Sequence, residues 1–207
     1  MVMKGTMPVL LMALFADSVA QPDAVNRYML AHGGVRRDVK IAWILAHHAG
    51  QPATPEAIAD HLARYASIVE PMVARARVIP GVIEWLAGAG QPCYVCSSAP
   101  AHEVSAQLQR LGITGRFAGV YAGDTPKAQA LRQIGARHPQ AERVFFGDAI
   151  GDLQAARQTC VALVGITAEW NNFGGTDAVT LTDFSDREAL ARAIAAAHAQ
   201  QVTRQSG

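Results

Sequence analysis

VFFGDAIGDLQAA, residues 144–156, is an apolar run that breaks at Gly147-Asp148 and carries a second carboxylate, Asp152, four residues on. A buried strand of this kind delivers an acid to the rim of a sheet, and the tight turn after it aims the second acid at the same point. Two carboxylates so placed suit a divalent cation. Magnesium in particular takes one or two carboxylates and completes its shell with water and phosphate oxygens.

Working outward, the same strand-then-helix unit recurs on both sides. GVIEWLAGAG leads into CYVCSS, AHEVSAQLQRLGI into FAGVYAG, and PKAQALRQIGARH into RVFFGD; DLQAARQ leads into CVALVGIT, and DREALARAIAAAHAQ closes the pattern. Short continuous apolar strands separated by amphipathic helices predict an α/β fold, a doubly wound parallel sheet covered on both faces. A first strand is expected at VLLMALFADSVA, residues 9–20.

Between that strand and the rest, residues 22–78 read as helical throughout. PDAVNRYMLAHGG and VRRDVKIAWILAHHAG both end in glycine, and TPEAIADHLARYASIVEPMVARAR opens with Thr54-Pro55-Glu56, an N-cap followed by proline at the first helical position. Ile41, Ile44 and Leu45 share one helical face, as do Ile58, Leu62, Tyr65 and Ile68. The expected organisation is a core of residues 1–20 and 79–207 with a helical cap, 21–78, inserted after the first strand.

With 207 residues, 50% hydrophobic and 17% charged, the chain can bury one core and a smaller subdomain. Its net charge of +1 leaves no electrostatic footprint for nucleic acid or an acidic membrane surface. Three cysteines, an odd number, favour reduced thiols and a cytoplasmic protein. Cys93 and Cys96 form a CxxC without a second ligand pair, which favours packed thiols over zinc. The segment before Asp17 fits a core strand better than a secretion signal, and no run approaches a membrane span.

In open parallel sheets ligands bind beyond the carboxyl ends of the strands. The residues expected there are Ser97 and Ser98 after CYVC, Asp124 and Lys127 after FAGVYAG, and Asp148 and Asp152 after RVFFG. A hydroxyl donor, an ammonium and two carboxylates converging on one crevice suit a phosphate with a magnesium ion. Lys127 is one of only three lysines against fifteen arginines.

From about residue 8 to 198 the chain resembles haloacid dehalogenase-type hydrolases of the phosphoglycolate phosphatase-like group. Ser97 in YVCSSAP matches the second motif of that family, Lys127 the third, and Gly147, Asp148 and Asp152 the fourth. The resemblance implies phosphate binding by Ser97, Ser98 and Lys127, magnesium at Asp148 and Asp152, and a small phosphorylated molecule as substrate. With the net charge of +1, no nucleic acid and no membrane is expected as partner, and a protein partner stays open.

The first motif departs from the family. D-x-D-G-T at the end of strand one supplies both the nucleophile and the acid/base, whereas here the text is MALFADS. Alignment from the strand start puts Ala13 and Phe15 in the two aspartate positions; alignment from the other side deletes about three residues or slides Asp17 into the nucleophile position. None restores both acids. Losing covalent and general-acid catalysis, the latter alone worth about 10²–10⁴-fold, implies impaired or lost phosphatase activity. The alternatives are a non-catalytic binding protein, a hydrolase using Asp17 as substitute nucleophile, and chemistry that needs no aspartyl phosphate. Asp17 reads otherwise as a helix cap. Trp43, His47 and His48 on the cap, His102 beyond the second motif, and Trp170, Asn171 and Asn172 could line a pocket or simply pack.

Overall fold

Thr54 begins the longest helix of the first half as its sequence predicts. Its hydroxyl accepts the Ala57 N–H at 3.2 Å, and Pro55 occupies the first turn, where no intrahelical donor is needed. The computed structural model describes residues 14–15, 19, 21–32, 35–167 and 173–206. The chain divides between Arg77 and Val78 into two units.

The first unit is helical: α1 (Pro22–Ala31), α2 (Arg37–His47) and α3 (Pro55–Arg75). Val25, Met29, Ile41, Ile44, Leu45 and Tyr65 form its core. The buried stripe of α3 runs through His61, Tyr65 and Val69, while Ile68, expected on that face, is 37% exposed. At about 100° per residue, Ile68 falls to the opposite edge of the stripe from Val69. Trp43 packs against Tyr28 with ring centroids 3.6 Å apart and planes 6° from parallel, and His47 and His48 lie 5.2 and 4.6 Å from it. The stack fastens α2 to α1, so Trp43 serves packing.

Only Leu14, Phe15 and Val19 of the expected first strand, 9–20, are described. Leu14 is helical, Phe15 lies in a turn, and the Val19 N–H donates to the Phe15 carbonyl at 3.1 Å, a four-residue helical bond. Both Leu14 and Phe15 join the core of the helical unit, and the Phe15 ring stacks on His61 at 4.9 Å. A short apolar run fits a buried helical turn as well as a strand, and here helical packing won at these positions. Ala13 and Asp17 lie outside the described residues.

The second unit is the α/β layer structure that the alternation predicts. Its helices are α4 (Val82–Gly88), α5 (Ala101–Arg110), α6 (Lys127–Arg137), α7 (Ile150–Gln158) and α8 (Arg187–Ser206). Its strands are β1 (Tyr94–Cys96), β2 (Gly119–Tyr121), β3 (Val144–Gly147), β4 (Ala162–Ile166) and β5 (Val179–Leu181). All described ladders are parallel. β1 pairs with β2, Cys96 opposite Tyr121, and β4 lies between β3 and β5, Gly147 opposite Gly165. β4 is buried along its whole length because helices cover both faces: Leu153 and Ala156 of α7 pack on Leu163, and Ala193 and Ala197 of α8 pack on Ala162 and Val164. β5 was not expected; three alternating residues between polar neighbours are too short a signal for periodicity to separate from a loop.

Candidate functional site

The ends of β1, β2 and β3 place the expected polar residues on three successive loops. The Ser97 N–H donates to the Tyr121 carbonyl at 2.8 Å, extending the β1–β2 pairing by one bond. The chain then turns: the Ser97 hydroxyl oxygen accepts the Ala99 N–H at 3.1 Å, and the Gly123 N–H donates to the Ala99 carbonyl at 2.8 Å. The loops after β1 and β2 are therefore tied together. Because the Ser97 oxygen acts there as acceptor, its own O–H remains able to donate, as a phosphoryl oxygen requires. Ser98 is half-buried in the same loop, whereas Asp124 and His102 are exposed.

Lys127 is the first residue of α6, just after Pro126, and its ammonium forms an ion pair with Oδ1 of Asp152. The other oxygen of Asp152, Oδ2, accepts the N–H groups of Asp148 and Ala149 at 3.1 and 3.0 Å. Asp152 stands at the third position of α7, so the Ala149 bond is the reach-back contact by which an acid closes a helix start. Only glycine fits at 147, since a Cβ there would stand 2.3 Å from the Asp152 Cβ.

Asp148 follows the last residue of β3, beside this buried carboxylate. Loss of solvent pushes its pKa up, the negative charge of Asp152 pushes it further, and Lys127 opposes both. A cation beside Asp148 would offset the same repulsion, and Asp148 is a carboxylate donor of the kind magnesium takes. Among the described residues no group of three or more His, Cys, Asp or Glu side chains gathers as a metal cage. Asp152 is engaged through both oxygens inside the protein. Cys96 lies close enough to this pair to feel both charges, and burial pushes its thiol up to about 11.

Of the residues expected at the site, the structure joins Lys127 to Asp152 and Asp152 to the Asp148 turn, and sets Ser97 at the head of the tied loops. Asp17, Trp170, Asn171 and Asn172 lie outside the described residues. Two features escaped the sequence. One is Cys96 near the ion pair; the other is Tyr121, whose buried hydroxyl has no hydrogen-bond partner among the described residues. The period-two alternation of β1 signals the first, since Cys96 and Tyr94 must share a face.

Parallel strands delivering a serine, a lysine and an aspartate turn to neighbouring loops define an α/β core of Rossmann-like architecture. Residues 11–157 match the haloacid dehalogenase-like hydrolase model, and the chain belongs to that family. The chain is 33% identical over 119 residues to a phosphoglycolate phosphatase of Agrobacterium fabrum strain C58, a match covering 51% of this chain and 48% of that protein. The chain thus spans about half the length of that curated relative. In fold it is similar to CbbY from Rhodobacter sphaeroides in complex with phosphate, with TM-score 0.63, 20% identity, and 86% and 87% of the two chains covered. It is equally similar to a predicted phosphoglycolate phosphatase from Haemophilus somnus, with TM-score 0.62, 19% identity and 89% of each chain covered. Among the described residues no helix is long and apolar enough to cross a membrane.

Proposed function

We propose that this chain binds a small phosphorylated molecule beside Ser97, Ser98 and Lys127, with impaired phosphatase turnover. The observation that carries the binding half is the Lys127–Asp152 pair. Its lysine is largely buried and oriented by a carboxylate that two backbone N–H groups also hold. An ammonium fixed in this way meets an incoming phosphoryl group without reorganisation, which is where preorganised charge is most effective. Ser97 would donate to a second phosphoryl oxygen. Asp148 would hold magnesium, with Asp152 supporting it through the turn, and the metal would add positive charge at the phosphate. The relatives' names, a phosphoglycolate phosphatase and a protein crystallised with phosphate, support the same ligand class.

Loss of turnover is supported by the sequence MALFADS, where none of the possible alignments with D-x-D-G-T restores both acids; Phe15, the second aspartate position in the alignment from the strand start, is buried against His61. The three free thiols suit a reducing, cytoplasmic setting.

Two measurements test this. Orthophosphate with magnesium should raise the melting temperature of the wild type and leave Lys127→Met unmoved; no shift in the wild type refutes the binding site. Magnesium-dependent hydrolysis of p-nitrophenyl phosphate should stay near background. Robust hydrolysis abolished by Asp17→Asn would instead establish a working enzyme with a substitute nucleophile.

A further inference from the structure

We infer that the groove between α4 and α8 is a self-complementary surface through which two copies of this chain pair. The groove encloses about 210 Å³ and is lined on one wall by Glu84, Trp85 and Gly88 and on the other by Arg187, Leu190 and Ile194. Its floor is firm: Trp85, Leu190 and Ile194 belong to the cluster built around Ile79, Ile166 and Phe184. An occupant would meet a preformed apolar surface.

The rim selects the occupant. Glu84 and Arg187 are both exposed, and among the described residues neither hydrogen-bonds or pairs with another, including each other. A uniformly acidic or basic partner would satisfy one and repel the other. A second copy related by a two-fold axis satisfies both, because Glu84 of each copy meets Arg187 of the other. The net charge of +1 offers almost no opposition to self-association.

The neighbouring surface supplies the matching ridge. Ala191, Ala195 and Ala199 stand four apart on α8 and are all exposed. Rows at that spacing are the ridges that seat into helix–helix grooves, and alanine lets the backbones come close. Gly88 agrees with this. A Cβ built on it meets nothing within 4 Å, and its φ is not left-handed. Nothing inside the chain therefore asks for glycine in this last helical turn, where alanine is the better helix former by about 0.5–1 kcal/mol. The open space it leaves faces the groove that a second α8 would enter.

Sedimentation velocity on the full chain decides the matter. The wild type should sediment as a species of twice the 22.0 kDa chain mass. Ala195→Arg should sediment as a monomer with an unchanged circular dichroism spectrum, and its melting temperature should no longer rise with protein concentration. Glu84→Arg should weaken dimerisation about 10-fold or more, and Glu84→Arg with Arg187→Glu should restore it by re-pairing the same charges. A wild type that stays monomeric up to about 100 μM, a concentration above any Kd useful to a specific dimer, overturns the proposal. So does a double variant no tighter than Glu84→Arg alone.

Discussion

The ammonium of Lys127 rests on Oδ1 of Asp152 across 25 residues of sequence, while Oδ2 of the same carboxylate holds the backbone of the turn that carries Asp148. One buried side chain thus fixes both the cation of α6 and the acid at the end of β3. Removing either partner should have unequal effects. Asp152→Ala strands the lysine and two backbone donors together and is expected to destabilise by about 3–5 kcal/mol, the range for breaking a buried pair. Lys127→Met should cost less, because two N–H groups still solvate the remaining carboxylate. Urea denaturation of both variants checks the order; equal losses would mean that the backbone bonds contribute nothing.

Gly147→Ala puts a methyl group where the Asp152 Cβ, Cγ and Oδ2 lie at 2.3, 2.6 and 2.8 Å. The side chain cannot retreat without releasing Lys127 and the turn, so the backbone must move. A loss of about 1–3 kcal/mol is expected, as for other overpacked sites. Orthophosphate stabilisation should disappear with it. Retained stabilisation in this variant would show that ligand binding does not depend on the geometry of the turn.

Much of this arrangement was legible before any coordinates. The parallel strands follow from apolar runs too short and too continuous to be amphipathic helices, and the α3 start follows from Thr54-Pro55. The order Ser97, Lys127, Asp148 follows from reading the strand ends. What escaped was tertiary. Periodicity treats VLLMALF as a strand, and nothing local says that Phe15 will stack on His61. Spacing pairs Asp148 with Asp152, but whether Asp152 faces a metal or a lysine depends on where α6 packs. Trp43 reads equally as pocket or packing until Tyr28 is seen against it.

Tyr121→Phe should leave stability unchanged or raise it by up to about 1 kcal/mol. Among the described residues the buried hydroxyl has no hydrogen-bond partner, which leaves its desolvation uncompensated. The ring itself, under Arg137 at 5.9 Å, is retained in phenylalanine. A clear drop in melting temperature would reveal a partner for the hydroxyl, such as a bound water.

Cys96 should resist alkylation in the native protein. Burial raises its pKa to about 11, so at pH 8 almost all of it is thiol, and the thiolate is the nucleophile. Cys160 is exposed and should react first with iodoacetamide. The sign of the linkage follows. A thiol whose folded pKa exceeds its unfolded value of about 8.5 adds stability that is complete below pH 8.5 and declines as pH rises toward 11. Cys96→Ala should flatten that alkaline decline; an identical slope in wild type and variant would remove Cys96 as its source.

Asp177 ties two helix ends together at the surface: Arg157 of α7 and Arg204 of α8 each reach one of its oxygens at 2.5 Å. The Arg204 hydrogen bond is the main cause that lowers its pKa, with the charges of Arg204 and Arg157 adding to it. A depressed folded value means that the contribution is present above the unfolded pKa of about 3.9 and is lost as pH falls through the lower, folded one. The carboxylate is 57% exposed, so solvent and salt screen it, and the pair is worth at most about 1 kcal/mol. The Gln200 side chain also donates to the Asp177 carbonyl at 2.8 Å, a bond that Asp177→Asn preserves. Wild type and Asp177→Asn should therefore differ slightly at pH 7 in low salt and converge both near pH 2–3 and in 1 M salt, where the screening length is about 3 Å. A difference that survives high salt would mean that the carboxylate acts by shape and hydrogen bonding, and that charge is incidental to the clamp.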